Sequence, residues 1–168
     1  MKLKETWLAY LNYPSSENAD KVSRQLPSQG HVKYTGATDE HDAVNFVYDN
    51  LGMLSRQIYS GDRSAVRLGF RLFSVSDAAF SEELDIILGS LIRINPRLFL
   101  EVLNENQWAL KNNQGLLVNF GGDYVDRPNA DELEISLRIA ALRSVDDPSL
   151  APLRDECLQL LKGMQQTR

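Results

Sequence analysis

Residues that carry chemistry on their own are scarce in this chain. It has one cysteine, Cys157, so no internal disulfide forms and no thiolate cluster is available to hold zinc. Cys157 falls among Leu153, Leu158, Leu160 and Leu161, which reads as a buried structural thiol. Histidine is nearly as rare. His31 lies in a turn-rich stretch and His41 at the start of a helical pattern, and neither belongs to a His-x-x-x-His or Glu-x-x-His pair on one helix face. Both read as surface polar residues, and no metal or other cofactor is expected. There is no Gly-x-Ser-x-Gly elbow and no histidine-bearing signature around the cysteine. Long apolar runs are missing too: "IILGSLI" is far too short to span a bilayer, so no membrane association is expected. "MKLKETWLAYLNYP" lacks the charged-then-apolar pattern of a leader. The expectation is a soluble cytoplasmic protein, with an exported, periplasmic mature chain as the alternative.

Positive charge is in deficit. A net charge of −5 and a pI near 5.0 argue against a general nucleic-acid binder, which needs a basic surface to neutralise phosphate. Residues 101–168 hold eleven Asp and Glu against seven Lys and Arg, whereas 61–100 hold five of each, so any basic patch is local. What the chain does have is the material of a core. Hydrophobic residues make up 43% and charged residues 24% of 168 positions, the balance of one folded domain of ordinary size.

The patterning is helical throughout. "ETWLAYL" and "PSSENADKVSRQL" read as a helical pair, the second capped by Ser15 or Ser16. "PSQGHVKYTGA", 27–37, reads as a loop. Thr38 caps a long helix over roughly 39–60, with Val44, Val47, Tyr48, Leu51, Leu54 and Ile58 at helical spacing and Phe46 and Met53 on the opposite side. Gly61 ends it, and Asp62 caps the helix "RSAVRLGFRLF". Ser76 caps the next, whose core face is Leu84, Ile87, Leu88, Leu91 and Ile92; Asn95 and Pro96 then restart the chain. Residues 107–128 are the least regular. Asn129 with Glu132 forms a capping-box variant before a helix with two apolar sides: Leu133, Leu137 and Ala140 on one, Ile135, Ile139 and Leu142 on the other. A last helix starts at Asp147–Pro148 and ends near Gly163. Eight or nine helices with no strand alternation define an all-α chain.

"GDRSAVRLGFRLF", through Asp62, Val66 and Arg67, resembles the start of a HEAT-type helical-hairpin repeat. "DDPSLAPLRDECLQLL" resembles it again through Asp147, Pro148, Leu153 and Arg154, with the Asp-to-Arg spacing two residues longer. The resemblance covers about two degenerate repeats and implies a structural role for the motif. The fold it implies is helical hairpins stacked as a short α-α superhelix, in keeping with the two-sided helices. A compact irregular helical bundle is the alternative.

Candidate sites are few. Arg63, Arg67 and Arg71 recur every fourth residue on one helix edge, with Arg56 nearby. Such an edge either engages a carboxylate-rich or phosphate-bearing partner through forked hydrogen bonds or pairs with local acids such as Asp62, Glu82, Glu83 and Asp85. Glu82, Glu83 and Asp85 themselves read as the solvated acidic first turn of a helix. "NFGGDY", 119–124, could cradle phosphate, but Asp123 and Asp126 oppose it, and a turn with positive φ explains the glycines. The polar loop around His31, Lys33 and Tyr34 is a second candidate surface. The expected function is a non-catalytic helical module that binds a protein partner. The alternatives are an all-α hydrolase with a carboxylate-lined groove, recognisable by raised carboxyl pKa values, or a small acidic neutraliser of a toxic or basic protein. An exposed Phe46–Met53 patch would favour an assembly-forming protein instead.

Overall fold

A computed structural model of the chain describes residues 2–28, 39–76, 78–112, 114–122, 127 and 129–166, with only the backbone at 39–41, 78, 79 and 112. Among them are eleven α-helices and no strand, the all-α class expected from the patterning. The chain divides into two compact units, residues 1–81 and 82–168, the division falling in the first turn of α6.

The first unit comprises α1 (Lys2–Asn12), α2 (Ser16–Gln25), α3 (Asp39–Tyr48), α4 (Gly52–Tyr59), α5 (Arg63–Phe73) and the start of α6 (Ala78–Ile94). Leu3, Trp7 and Tyr10, at helical spacing on α1, are buried where α1 packs on α2 and α3. The turn between α1 and α2 is closed by Asn18 Nδ2 donating to the Tyr13 carbonyl at 2.9 Å, while Ser15 Oγ accepts from the Asn18 N–H as the expected N-cap. α5 lies between α2 and α4 and buries Ala65, Val66, Leu68, Gly69, Phe70, Leu72 and Phe73. A helix covered on both sides gains about 1.5–3 kcal/mol for each large apolar side chain removed from water. Tyr48 secures the far end: its hydroxyl donates to the Leu72 carbonyl at 2.9 Å, and its ring stacks on Phe80 at 3.9 Å.

The pattern over 39–60 is not one helix but two. At the break the Asn50 N–H bonds to the Val47 carbonyl, three residues back, and the Asn50 side-chain amide takes the Phe46 carbonyl at 2.8 Å. A side chain that satisfies the i−4 carbonyl removes the reason for the backbone to continue the helix, and Gly52 follows at the start of α4. Phe46 and Met53 do not form the exposed patch considered above. Both are half-buried, with Lys4 Nζ over the Phe46 ring at 5.7 Å and Gln57 Nε2 near Met53 Sδ at 3.9 Å.

The second unit holds the rest of α6, α7 (Pro96–Glu105), α8 (Trp108–Asn112), α9 (Gly115–Val118), α10 (Ala130–Arg143) and α11 (Ala151–Gln166). Its core is Leu84, Leu88, Leu91 and Ile92 of α6, Phe99, Leu100, Val102 and Leu103 of α7, and the inner faces of α10 and α11. Asn95 caps α7 as expected, accepting from the Leu98 N–H at 3.1 Å with Pro96 at the first helical position. Asn129 does not make the expected cap. It sits in the left-handed region at φ +62° with no side-chain bond to α10, a conformation Asn adopts more readily than other non-glycine residues. The last helix begins later and ends later than its sequence suggests. Asp147 Oδ1 accepts from the Ser149 N–H and hydroxyl to hold a turn, and α11 then runs through Gly163 to Gln166.

Candidate functional site

The arginine edge starts at a well-defined cap. Gly61 takes φ +84° to close α4, and Asp62 Oδ1 accepts from the Ala65 N–H at 2.9 Å, fixing where α5 begins. Val66, Phe70 and Phe73 turn inward from that start. Arg67 is exposed, Arg63 is half-buried at the first helical position, and Arg56 is exposed on α4. Arg71 is drawn in. Its Nη1 donates to Ser74 Oγ at 2.9 Å, and its Nη2 to the carbonyls of Leu26, at 3.1 Å, and of Pro27. Leu26 is the C-cap of α2, where outward-pointing carbonyls and the helix dipole favour a cation. Desolvation at this contact holds the Arg71 pKa below the usual arginine value. Of the α5 arginines, Arg71 therefore joins α5 to α2, and Arg63 and Arg67 form the outer part of the edge. His31, Lys33 and Tyr34 lie outside the described residues, as do the side chain of His41 and residues 123–126 of the glycine-bearing turn. The described part of that turn has Gly121 at φ +84°, as its composition suggests.

Glu82, Glu83 and Asp85 lie in the second turn of α6 and not in an acidic first turn as expected from sequence, and they are only partly solvated. Glu82 and Glu83 are exposed, but Asp85 is buried, because at 100° per residue it falls between Leu88 and Gly89 on the arc that faces the core. A buried charge pair, missed from sequence, lies on α10. Arg138 Nε donates to Glu134 Oε1 at 3.1 Å, and Arg138 Nη1 to the Leu117 carbonyl at 2.9 Å. The guanidinium also lies over the Phe120 ring at 4.7 Å. Glu134 Oε2 accepts from Arg93 Nη1 of α6 at 2.7 Å. Gly89 makes room for this arrangement: a Cβ there would stand 2.5 Å from the Leu116 carbonyl oxygen and 2.9 Å from Arg138 Nη1. The group binds α6, α9 and α10 together through charges that are already paired. Its signal in the sequence is the i, i+4 spacing of Glu134 and Arg138 next to the core positions Ile135 and Leu142.

A pair of buried aromatic side chains in the first unit is treated differently from this group. Trp7 and Tyr10 are almost wholly buried and stack at 5.5 Å, and among the described residues neither Trp7 Nε1 nor the Tyr10 hydroxyl has a hydrogen-bond partner. Burial, and secondarily the negative charge of Asp62, pushes the Tyr10 pKa well above its ordinary value. Cys157 is buried as expected, and burial, followed by the nearby Glu156 charge, pushes its thiol up to about 12.

Displaced carboxyl groups lie on the surface and are shifted downward. A hydrogen bond from Lys21 lowers Glu17, and hydrogen bonds from the Ser149 hydroxyl and N–H lower Asp147. Among the described residues no three His, Cys, Asp or Glu are grouped to hold a metal ion, and no helix is long and apolar enough to cross a membrane. An open groove of about 450 Å³ runs along α11 between Asp155, Gln159, Lys162 and Gln166. The outer side of α10 differs from it: Leu133 is 61% exposed and Leu137 36%. No protein family, curated protein or solved structure matches the chain.

Proposed function

We propose that this chain is a non-catalytic helical module that binds protein, its hairpins stacked in the HEAT manner suggested by the residues around Asp62 and Asp147. The observation that carries this reading is the outer face of α10, where Leu133 and Leu137 stand exposed one turn apart. Large apolar side chains at i and i+4 on an exposed helix form the kind of strip a protein partner covers. Arg56, Arg63 and Arg67 supply a second surface suited to a carboxylate-rich segment of a partner.

The test is affinity capture from a lysate of the organism of origin, comparing the unaltered chain with Leu133→Glu/Leu137→Glu and with Arg63→Glu/Arg67→Glu, each checked for folding by circular dichroism. A stoichiometric protein retained by the unaltered chain and lost with the leucine pair is the expected result. Loss with the arginine pair alone moves the interface to α5. Equal capture by all three, or none by any, removes the support for the reading.

A further inference from the structure

The outer side of α10 is unusual in having no charge along its centre. Advancing 100° per residue, Ser136, Ala140, Leu133, Ser144 and Leu137 follow one another across about 100° of arc, and all five are exposed. On α11 the exposed arc carries Asp155, Glu156 and Lys162, the pattern of a helix that faces water. The exposed charges of α10, Glu132 and Arg143, both lie on one margin of the strip. They are eleven positions apart, almost a whole number of turns, and neither has an ion-pair partner among the described residues.

We infer that this face binds a second copy of the chain, α10 packing antiparallel on the partner's α10. This rests on the protein-binding reading and names the partner. A two-fold axis passing beside Leu137 sets Glu132 opposite the partner's Arg143, and by symmetry Arg143 opposite the partner's Glu132. Both charges stand on the same margin, so an antiparallel pair brings both ends into register together, whereas a parallel two-fold pair puts the charges of the two copies on opposite margins and makes neither contact. The same axis lays Leu133 between the small side chains of the partner's Ala140 and the partner's Ser144, the fit of a large residue into a shallow site. The contact is isologous, as two-fold dimers require. It is also small beside a standard interface of about 1,600 Å², so the dimer forms in the range of about 10–100 µM and not at nanomolar concentration.

Sedimentation equilibrium of the full chain from about 5 to 500 µM, a range set around that affinity, tests this. The unaltered chain dimerises; Leu137→Glu weakens the dimer at least about tenfold and Glu132→Arg about fivefold, because the latter faces Arg143 of the partner subunit twice. Glu132→Arg/Arg143→Glu returns the affinity to within about twofold, since the pairs are rebuilt with reversed sign. A chain that stays monomeric throughout, a dimer indifferent to Leu137→Glu, or a double swap that fails to restore what Glu132→Arg lost would each overturn the inference. If the chain stays monomeric but still captures a different protein through Leu133 and Leu137, the binding-module reading stands without self-association.

Discussion

Each unit holds one buried polar pair, and the two pairs are treated in opposite ways. In the second, Arg138 and Glu134 are buried with their hydrogen bonds met by each other, by Arg93 and by the Leu117 carbonyl. In the first, the Trp7 N–H and Tyr10 hydroxyl are just as buried and have no partner among the described residues. A paired buried charge is costly to disturb from one side, because removal of one partner strands the other. An unpaired hydroxyl or indole N–H is the reverse: its removal relieves a desolvation penalty. Equal burial therefore predicts opposite responses to substitution.

The largest response belongs to the charge pair. Glu134→Leu leaves Arg138 buried without its carboxylate and lowers stability by about 3–5 kcal/mol, measured by urea unfolding. The double variant Glu134→Leu/Arg138→Met removes both charges and loses far less. If the single and double variants are equally unstable, the pairing is not what matters. Gly89→Ala attacks the same group through the backbone. Its methyl would meet the Leu116 carbonyl at 2.5 Å, and the expected loss is about 1–3 kcal/mol, the usual range for overpacking. The first unit gives the opposite sign. Tyr10→Phe keeps the ring against Trp7 and deletes the unpartnered hydroxyl, so the melting temperature rises, by about 1 kcal/mol in stability; a fall would reveal a partner for that hydroxyl.

The smallest effect is on alkaline stability. Cys157 and Tyr10 stay neutral in the folded chain, with pKa values raised by burial. In the unfolded chain they ionise near about 8.5 and 10, so the unfolded state releases protons first. Their contribution is complete below about pH 8.5 and is lost as pH rises toward 12. Thermal melts over that window show the decline, and Cys157→Ala moves its onset up to about pH 10.

Features set by bonds between residues three or four apart were the easiest to read. Ser15, Asp62 and Asn95 cap their helices as their sequence context indicates, since each needs only an N–H three residues ahead. Asn129 misleads for the same local reason: the side chain that suits a cap also tolerates positive φ, and here the second preference won. At Asn50 the apolar spacing continues through the break, which depends on a polar side chain the spacing does not register. Glu134 and Arg138 look like surface charges because their burial is decided by helices remote in sequence; Asp85 looks like one for its charge alone, since its place on the helix already lies on the core-facing arc. The row of arginines was legible as a row. That Arg71 serves the carbonyl end of α2 follows from the packing of α2 on α5, which no local pattern records.

The stacked pair Trp7 and Tyr10 has an optical consequence. The chain has two tryptophans, one in each unit. Trp7, sealed from water beside a tyrosine that can pass excitation to it, emits at the blue end of the indole range, while half-buried Trp108 emits to the red of it. Excitation at tyrosine wavelengths favours Trp7, and Trp108→Phe leaves it as the sole emitter. The colour of the fluorescence thus follows each unit separately through denaturation, with no added dye.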